Sequence, residues 1–308
     1  MTIPSAINTA QDFFCSLESI EHHESLLGTA PRADVWFLLE YHGRWGKKAL
    51  EESEIPDEVK AHLNAQLKAT LESRLLLIKQ PREENVRGFA FFAAIPTADP
   101  PTLYRFQLNE YDDLLSYDLA GIFARKPEFA DSISREPVFV NCTNGLRDQC
   151  CALHGVASYW ELQNQFPGKV WESTHHGGHR FAANFMHLPY GLSYGRLRKE
   201  NAASVLETGL KGRIALDHFR GRTIYEEPIQ AAEILLRKEL DLDAIDSLRI
   251  TGSDAQDGNR WRVLADANDR VYEVIIERHE TGEHVHLSCG DEKTSPVVEY
   301  KTIEIKSK

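Results

Sequence analysis

The sequence predicts an α/β fold: a thioredoxin-type sheet at its centre, an α/β segment before it and a small β-rich module after it. Three observations lead there. Apolar runs of strand length alternate with amphipathic helical stretches up to about residue 240. Pro and Gly punctuate the joins between them. From about residue 241 the chain turns polar and strand-rich.

The first segment, 1–132, begins its sheet with ADVWFLLEY (33–41), a continuous apolar run of the kind a buried strand needs, followed by the glycine-bearing turn HGRWG. IPDEVKAHLNAQLKATLES (55–73) reads as a helix. Pro56 suits its first turn, Asp57 and Glu58 favour its N-terminus, and Val59, Leu63, Leu67 and Leu71 fall on one face. RLLLIKQP (74–81), RGFAFFAAIP (87–96) and TLYRFQL (102–108) read as strands.

The second segment, 133–240, places its first strand after Arg135-Glu136-Pro137: VFVNC (138–142), short, apolar and ending on a cysteine. A turn-rich stretch with Asn144-Gly145 follows. CALHGVASYWELQNQF (151–166) reads as a helix with Val156, Tyr159, Trp160 and Phe166 near one face, stopped by Pro167-Gly168. KVWEST (169–174) is the next strand, and HHGGHRF is a glycine-broken loop. AANFMHLP and LSYGRL read as two strands, and ENAASVLETGL and EEPIQAAEILLRKEL as helices. That order is the thioredoxin type, and the first segment is open to being a degenerate copy of it. The third segment, 241–308, reads as a meander of five strands, SLRITGS, RWRVLAD, VYEVIIERH, EHVHLSC and VVEYKTIEIK, with turns at Asn268-Asp269 and Thr281-Gly282.

Composition narrows the function. Of 308 residues, 42% are hydrophobic and 27% charged, as in an ordinary globular protein. Lys plus Arg number 35 against 47 Asp plus Glu, a net charge of −12. No broad basic field attracts nucleic acid or anionic lipid. The most apolar stretch, Gly88–Pro96, falls far short of the ~20 residues of a membrane span. The N-terminal stretch lacks the basic start and apolar core of a secretory signal, so a cytoplasmic location is expected, where structural disulfides are rare. Three of the five cysteines, Cys142, Cys150 and Cys151, nonetheless crowd into ten residues.

Those cysteines point to chemistry. Cys142 and Cys151 have eight residues between them, and His175 and His179 have three. The first pair lies where a strand passes into a helix and the second where the next strand leaves the sheet. In a parallel βαβ unit those two exits share an edge. Gly177-Gly178 removes side-chain bulk between the histidines and permits positive φ, and Gly145 is placed to do the same in the first loop. Two thiolates and two imidazoles suit zinc or an iron–sulfur cluster. The spacing matches neither a Rieske loop nor a zinc finger. Metal binding, thiol chemistry and coincidence all remain open on spacing alone.

A resemblance adds to this. VFVNCTNGLRDQCCALHGVASYWEL and VWESTHHGGHRFAANFMHLPYGLSYGRL are similar to the sucrase/ferredoxin-like family, as are GTAPRADVWFLLEYHGRWG (28–46) and GRTIYEEPIQAAEILLR (221–237). The resemblance implies a thioredoxin-like [2Fe–2S] ferredoxin domain with Cys142 and Cys151 on one iron and His175 and His179 on the other. Cys150 and Cys151 are adjacent and either could ligate; the Arg147-Asp148 pair aligns the family's ligand with Cys151, which would leave Cys150 as a spare or supporting thiol. Arg147, Asp148, Cys150, Gly177, Gly178 and Arg180 would surround the cluster. The implied role is one-electron transfer with a redox protein as donor or acceptor, rather than stand-alone catalysis. No carboxylate pair supports a glycosidase. No G-x-G-x-x-G run is present, so a flavin or NAD(P)H would sit on a partner reductase. A zinc-stabilised module on the same four ligands, and a thiol oxidoreductase using Cys150 and Cys151, are the alternatives.

Other residues have plainer readings. Cys15 reads as a small buried hydrophobe in a helix. His154 reads as a packing histidine and His187 as structural, while His176 is an alternative ligand to His175. His284, His286 and Cys289 are open to being a second metal site, but without an obvious fourth ligand they read as an edge-strand surface, and the five tryptophans as core or interface residues.

Overall fold

The computed structural model describes residues 13–82 and 87–307. The reading of the extreme N-terminus as leaderless falls largely outside those residues. A short helix, α1 (Cys15–Glu21), comes first. The first unit runs β1 (Val35–Glu40), α2 (Asp57–Ala69), β2 (Ser73–Lys79), β3 (Phe89–Ile95), β4 (Thr102–Leu108), α3 (Leu119–Phe123) and the two-residue β5 (Ile133–Ser134). The second runs β6 (Val138–Cys142), α4 (Ala157–Gln165), β7 (Val170–Ser173), β8 (Phe185–Leu188), β9 (Leu192–Tyr194), α5 (Ala202–Leu210), β10 (Phe219–Arg222) and α6 (Glu227–Leu240).

All ten strands form one sheet, ordered β10-β9-β8-β6-β7-β2-β1-β3-β4-β5. In each unit the strands flanking the first long helix are parallel, β1 with β2 and β6 with β7, as a crossover connection requires. The third and fourth strands then add antiparallel beside the first. β2-β1-β3-β4 and β7-β6-β8-β9 are therefore the same thioredoxin-type order. The units meet through equivalent strands, with β2 and β7 antiparallel at Ile78–Ser173 and Lys79–Glu172. This gives the sheet a pseudo-two-fold arrangement.

Burial on both faces explains the continuous apolar strands. Val35, Phe37 and Leu39 of β1 point into a core shared with Val59 and Leu63 of α2. Trp36 and Leu38 point the other way, into a cluster drawn from both units that includes Phe92 and Trp171, whose rings meet edge-on at 5.7 Å. α2 ends at Ala69, earlier than the sequence pattern suggests, and leaves Leu71 72% exposed. In α4 the buried face is Ser158, Tyr159 and Leu162, while Val156 and Trp160 lie outside, so Trp160 is not a core residue.

The C-terminal module is a four-stranded antiparallel sheet: β11 (Leu248–Ala255), β12 (Arg260–Ala267), β13 (Arg270–His286) and β14 (Thr294–Ser307). Ala231, Ala232 and Leu236 of α6 pack into its core with Val263, Val274 and Ile276. Asn268 and Asp269 both take positive φ, 50° and 58°, as the tight hairpin between β12 and β13 requires. The five-strand expectation is corrected at Thr281-Gly282. β13 runs through this point with a register shift between Glu280 and His284, and Gly282 takes φ 90° in a bulge rather than a reversal. β12 pairs with β13 only as far as Glu277, so at His284 and His286 the strand is laddered to β14 alone and these histidines do sit at a sheet edge. Among the described residues no helix is long and apolar enough to cross a membrane.

Candidate metal centre

β6 is buried along its whole length and delivers Cys142 at its last position. The Cys142 N–H donates to the carbonyl of Asn184 at 3.0 Å. The following turn closes on Asn144, whose carbonyl accepts from the N–H groups of Arg147 and Asp148 at 3.2 and 3.3 Å. The Cys151 N–H then donates to the Asp148 carbonyl at 3.0 Å and starts a wide π turn, Cys151–Val156, that runs into α4. Gly155 sits in that turn because a Cβ there would collide with the Cys142 carbonyl. Only glycine lets the widened turn lie against the strand end.

The parallel pairing of β6 and β7 sets Cys142 beside Ser173, so the chain leaving β7 arrives at the same edge. Gly177 and Gly178 then take φ 116° and 79° and reverse the loop before His179. Two groups outside the expected set hold this loop. The Asn184 side chain donates to the Gly178 carbonyl at 2.7 Å, and the Arg220 guanidinium donates to the Gly177 carbonyl at 3.1 Å and to Asn184 Oδ1 at 2.7 Å. Arg220 is buried and also donates to the Thr29 carbonyl and hydroxyl. The sequence hides it inside the strand FRGR, whose polar letters do not signal a strand.

The four expected donors converge. His175 Nδ1 lies 4.0 Å from Cys142 Sγ and 3.9 Å from Cys151 Sγ, and His179 Nδ1 lies 3.7 Å from Cys151 Sγ. The two imidazoles stack with centroids 3.8 Å apart at 15°. Cys142, Cys151 and His175 form one donor group within 4.8 Å. His179, within reach of Cys151, lies outside that group, and so does His176, which is buried and whose ring nitrogens have no hydrogen-bond partner among the described residues.

Protonation suits metal binding. The hydrogen bond from Cys151, followed by the contact with His175, holds the Cys142 thiol well below its ordinary pKa, while that same bond and burial hold Cys151 well above. The thiol pair thus releases one proton readily and keeps the second until a metal displaces it. Burial lowers the pKa of His175 and pushes His179 down to about 4, with Arg147, Arg180 and Arg220 adding to the effect on His179. Both imidazoles are therefore neutral donors at neutral pH. Two buried sulfurs and two neutral nitrogens fit a metal or an iron–sulfur centre.

The surrounding residues divide. Arg180 pairs with Glu24 at 2.7 Å and lies over the Phe181 ring, and the Arg147 side chain is exposed. Cys150 turns away from Cys151. Its sulfur lies 3.7 Å from that of Cys15 and 3.3 Å from that of Cys289, with Asp148 beside them. Cys15 is buried in α1 as a small apolar residue beside Ala182, as expected, and its sulfur also lies against two other thiols. His286 instead contacts Glu18 at 2.9 Å.

The Gly178→Ala chain is expected to lose roughly 1–3 kcal/mol of stability together with any capacity of the site to bind metal, because the new Cβ meets the Arg220 guanidinium at positive φ. Denaturant melts and metal analysis check this; unchanged values for both would contradict the account of the loop.

A model of the sucrase/ferredoxin-like family matches residues 26–221. No curated protein and no solved structure matches the chain.

Proposed function

The chain belongs to the sucrase/ferredoxin-like family, and we propose that it binds a [2Fe–2S] cluster through Cys142, Cys151, His175 and His179 and serves as a one-electron carrier. One observation carries the reading. Two buried thiols leave β6 and two neutral imidazoles leave the adjacent parallel β7, and the pairs face each other across one edge of a thioredoxin-type sheet. When bound, the cluster would supply reversible one-electron transfer.

The chain's own residues prepare the place. Asn184 ties both loops, through its carbonyl to Cys142 and its side chain to Gly178. Arg220 fixes the glycine turn and adds positive charge near the site. Cys142 and Cys151 are fully buried and exclude water, whereas His175 is only partly so and offers the shortest route to the surface. Leu146, 70% exposed on the loop between the two cysteines, lies where a redox protein would close over the site. That partner is proposed to be a donor or acceptor such as a flavin- or NAD(P)H-dependent reductase, and the location cytoplasmic. The net charge of −12 would guide a basic partner face.

Imidazole ligands leave the centre less negative than thiolates, which favours the reduced form. His175→Cys is therefore expected to lower the reduction potential. The parent potential should fall as pH rises through the ionisation of a ligand imidazole. Redox titration between about pH 6 and 10 tests this. A flat profile together with an unchanged potential in the variant would contradict it.

One observation favours a second reading, a single zinc ion on the same residues. The S···N separations of 3.7–4.0 Å approach the ~3.5 Å edge of a tetrahedron around one zinc. A zinc protein is colourless and takes up no electron, so the same titration separates the two. A thiol oxidoreductase finds no support, since the Cys150 and Cys151 sulfurs face different neighbours.

A further inference from the structure

We propose that Cys15, Cys150 and Cys289, with the carboxylate of Asp148, form a second metal site that takes one zinc ion and fastens α1 and the C-terminal sheet to the loop carrying Cys151. The three sulfurs form a closed triangle, with separations of 3.7 Å (Cys15–Cys150), 3.3 Å (Cys150–Cys289) and 3.5 Å (Cys15–Cys289). Asp148 Oδ1 lies 3.3 Å from the Cys289 sulfur and 3.9 Å from that of Cys15. Zinc bonds of about 2.3 Å to sulfur and 2.0–2.2 Å to oxygen give tetrahedral edges of about 3.8 Å between sulfurs and 3.5 Å between sulfur and oxygen. The four donors stand near the corners of that figure. Disulfides do not account for them, because an S–S bond is about 2.05 Å long and all three thiols are free.

Burial and orientation argue for an ion. Cys15 and Cys150 are fully buried and Asp148 is 5% exposed. Asp148 pairs with no Lys or Arg among the described residues. The N–H groups of Cys150 and Cys289, each at 2.9 Å, and the Ser288 hydroxyl at 3.0 Å hold its carboxylate in place. Such outer hydrogen bonds aim a metal ligand while leaving lone pairs free. A divalent cation would take the place of the thiol protons and offset the charge that the sulfurs and the carboxylate then carry. Three thiolates and one carboxylate in a closed, four-cornered set suit structural zinc.

The sulfurs come from α1, from the loop between β6 and α4, and from the turn between β13 and β14. An ion there would close chain loops of more than a hundred residues and anchor the residue next to Cys151. The inference does not depend on what Cys142, Cys151, His175 and His179 hold.

The test is zinc and iron analysis of the full chain purified anaerobically, with zinc K-edge absorption to read the ligands. The expected result is one zinc per chain with three sulfurs at about 2.3 Å and one oxygen. Cys289→Ser, on a partly exposed turn, should remove this zinc and leave whatever metal the Cys142 site holds, and Cys142→Ser should leave this zinc in place. Zinc bound by two sulfurs and two nitrogens, and lost in Cys142→Ser, would overturn the inference. So would a zinc-free chain, or a Cys150–Cys289 disulfide by mass spectrometry. Should either variant fail to fold, the ligand count in the unaltered chain still decides.

Discussion

A Glu233→Gln chain is expected to unfold with about 3–5 kcal/mol less stability than the parent. Glu233 of α6 lies between two buried guanidiniums, 2.9 Å from Arg222 of β10 and 3.0 Å from Arg237 one helical turn on. Burial alone would raise its pKa, but the two arginines reverse this and hold it below its ordinary value. Both arginines also donate to the Ile245 carbonyl, and Arg237 donates to Leu242, Ala244 and Leu248. The triad thereby binds the helix, the sheet edge and the start of the C-terminal module. Glutamine keeps the volume and removes the charge, leaving two cations buried without a counter-charge. Replacing all three groups with apolar residues of similar volume should cost far less. Urea melts at neutral pH measure both; a loss under about 1 kcal/mol in Glu233→Gln would show that the triad does not hold this junction.

The second large effect is acid unfolding of the metal-free chain. Burial pushes His176 and His187 from 6.5 down to about 3, with Arg220 and Arg74 near the first and Arg222 near the second adding to the shift. His187 is stacked on Phe139 at 4.4 Å, and both histidines are 1% exposed. Below about pH 6.5 the unfolded chain takes up protons that the folded chain refuses. Their contribution is thus fully present above that pH and is lost as pH falls towards 3. At pH 5 each should have lost about 2 kcal/mol relative to neutral pH, or about 4 kcal/mol together. Urea midpoints between about pH 7 and 4.5 read this slope. His187→Phe should flatten it by about one proton; an unchanged slope would show that His187 is not buried in its neutral form.

The sequence was legible where local chemistry decides. VFVNC is a strand ending on Cys142, Asn268-Asp269 is a hairpin, and the two donor pairs meet because parallel neighbours leave the sheet together. The joining of two thioredoxin-type orders through β2 and β7 has no local signal, since it depends on pairing of residues about a hundred positions apart. The thiol triangle is hidden for the same reason: Cys15 and Cys289 are 135 and 139 residues from Cys150, and no spacing rule covers such gaps. Arg220 is missed because a buried arginine breaks the apolar pattern by which strands are recognised, and only the carbonyls it satisfies explain its presence. Thr281-Gly282 carries turn letters, yet pairing with β14 on both sides of it keeps β13 running.

The central claim is that two thiols and two imidazoles at the β6 and β7 exits hold a diiron cluster. Iron and acid-labile sulfide analysis of the anaerobically purified chain, with its visible spectrum, tests it most directly. About two iron and two sulfide per chain are expected, in a coloured protein that bleaches on reduction. A colourless chain holding zinc and no sulfide would contradict it.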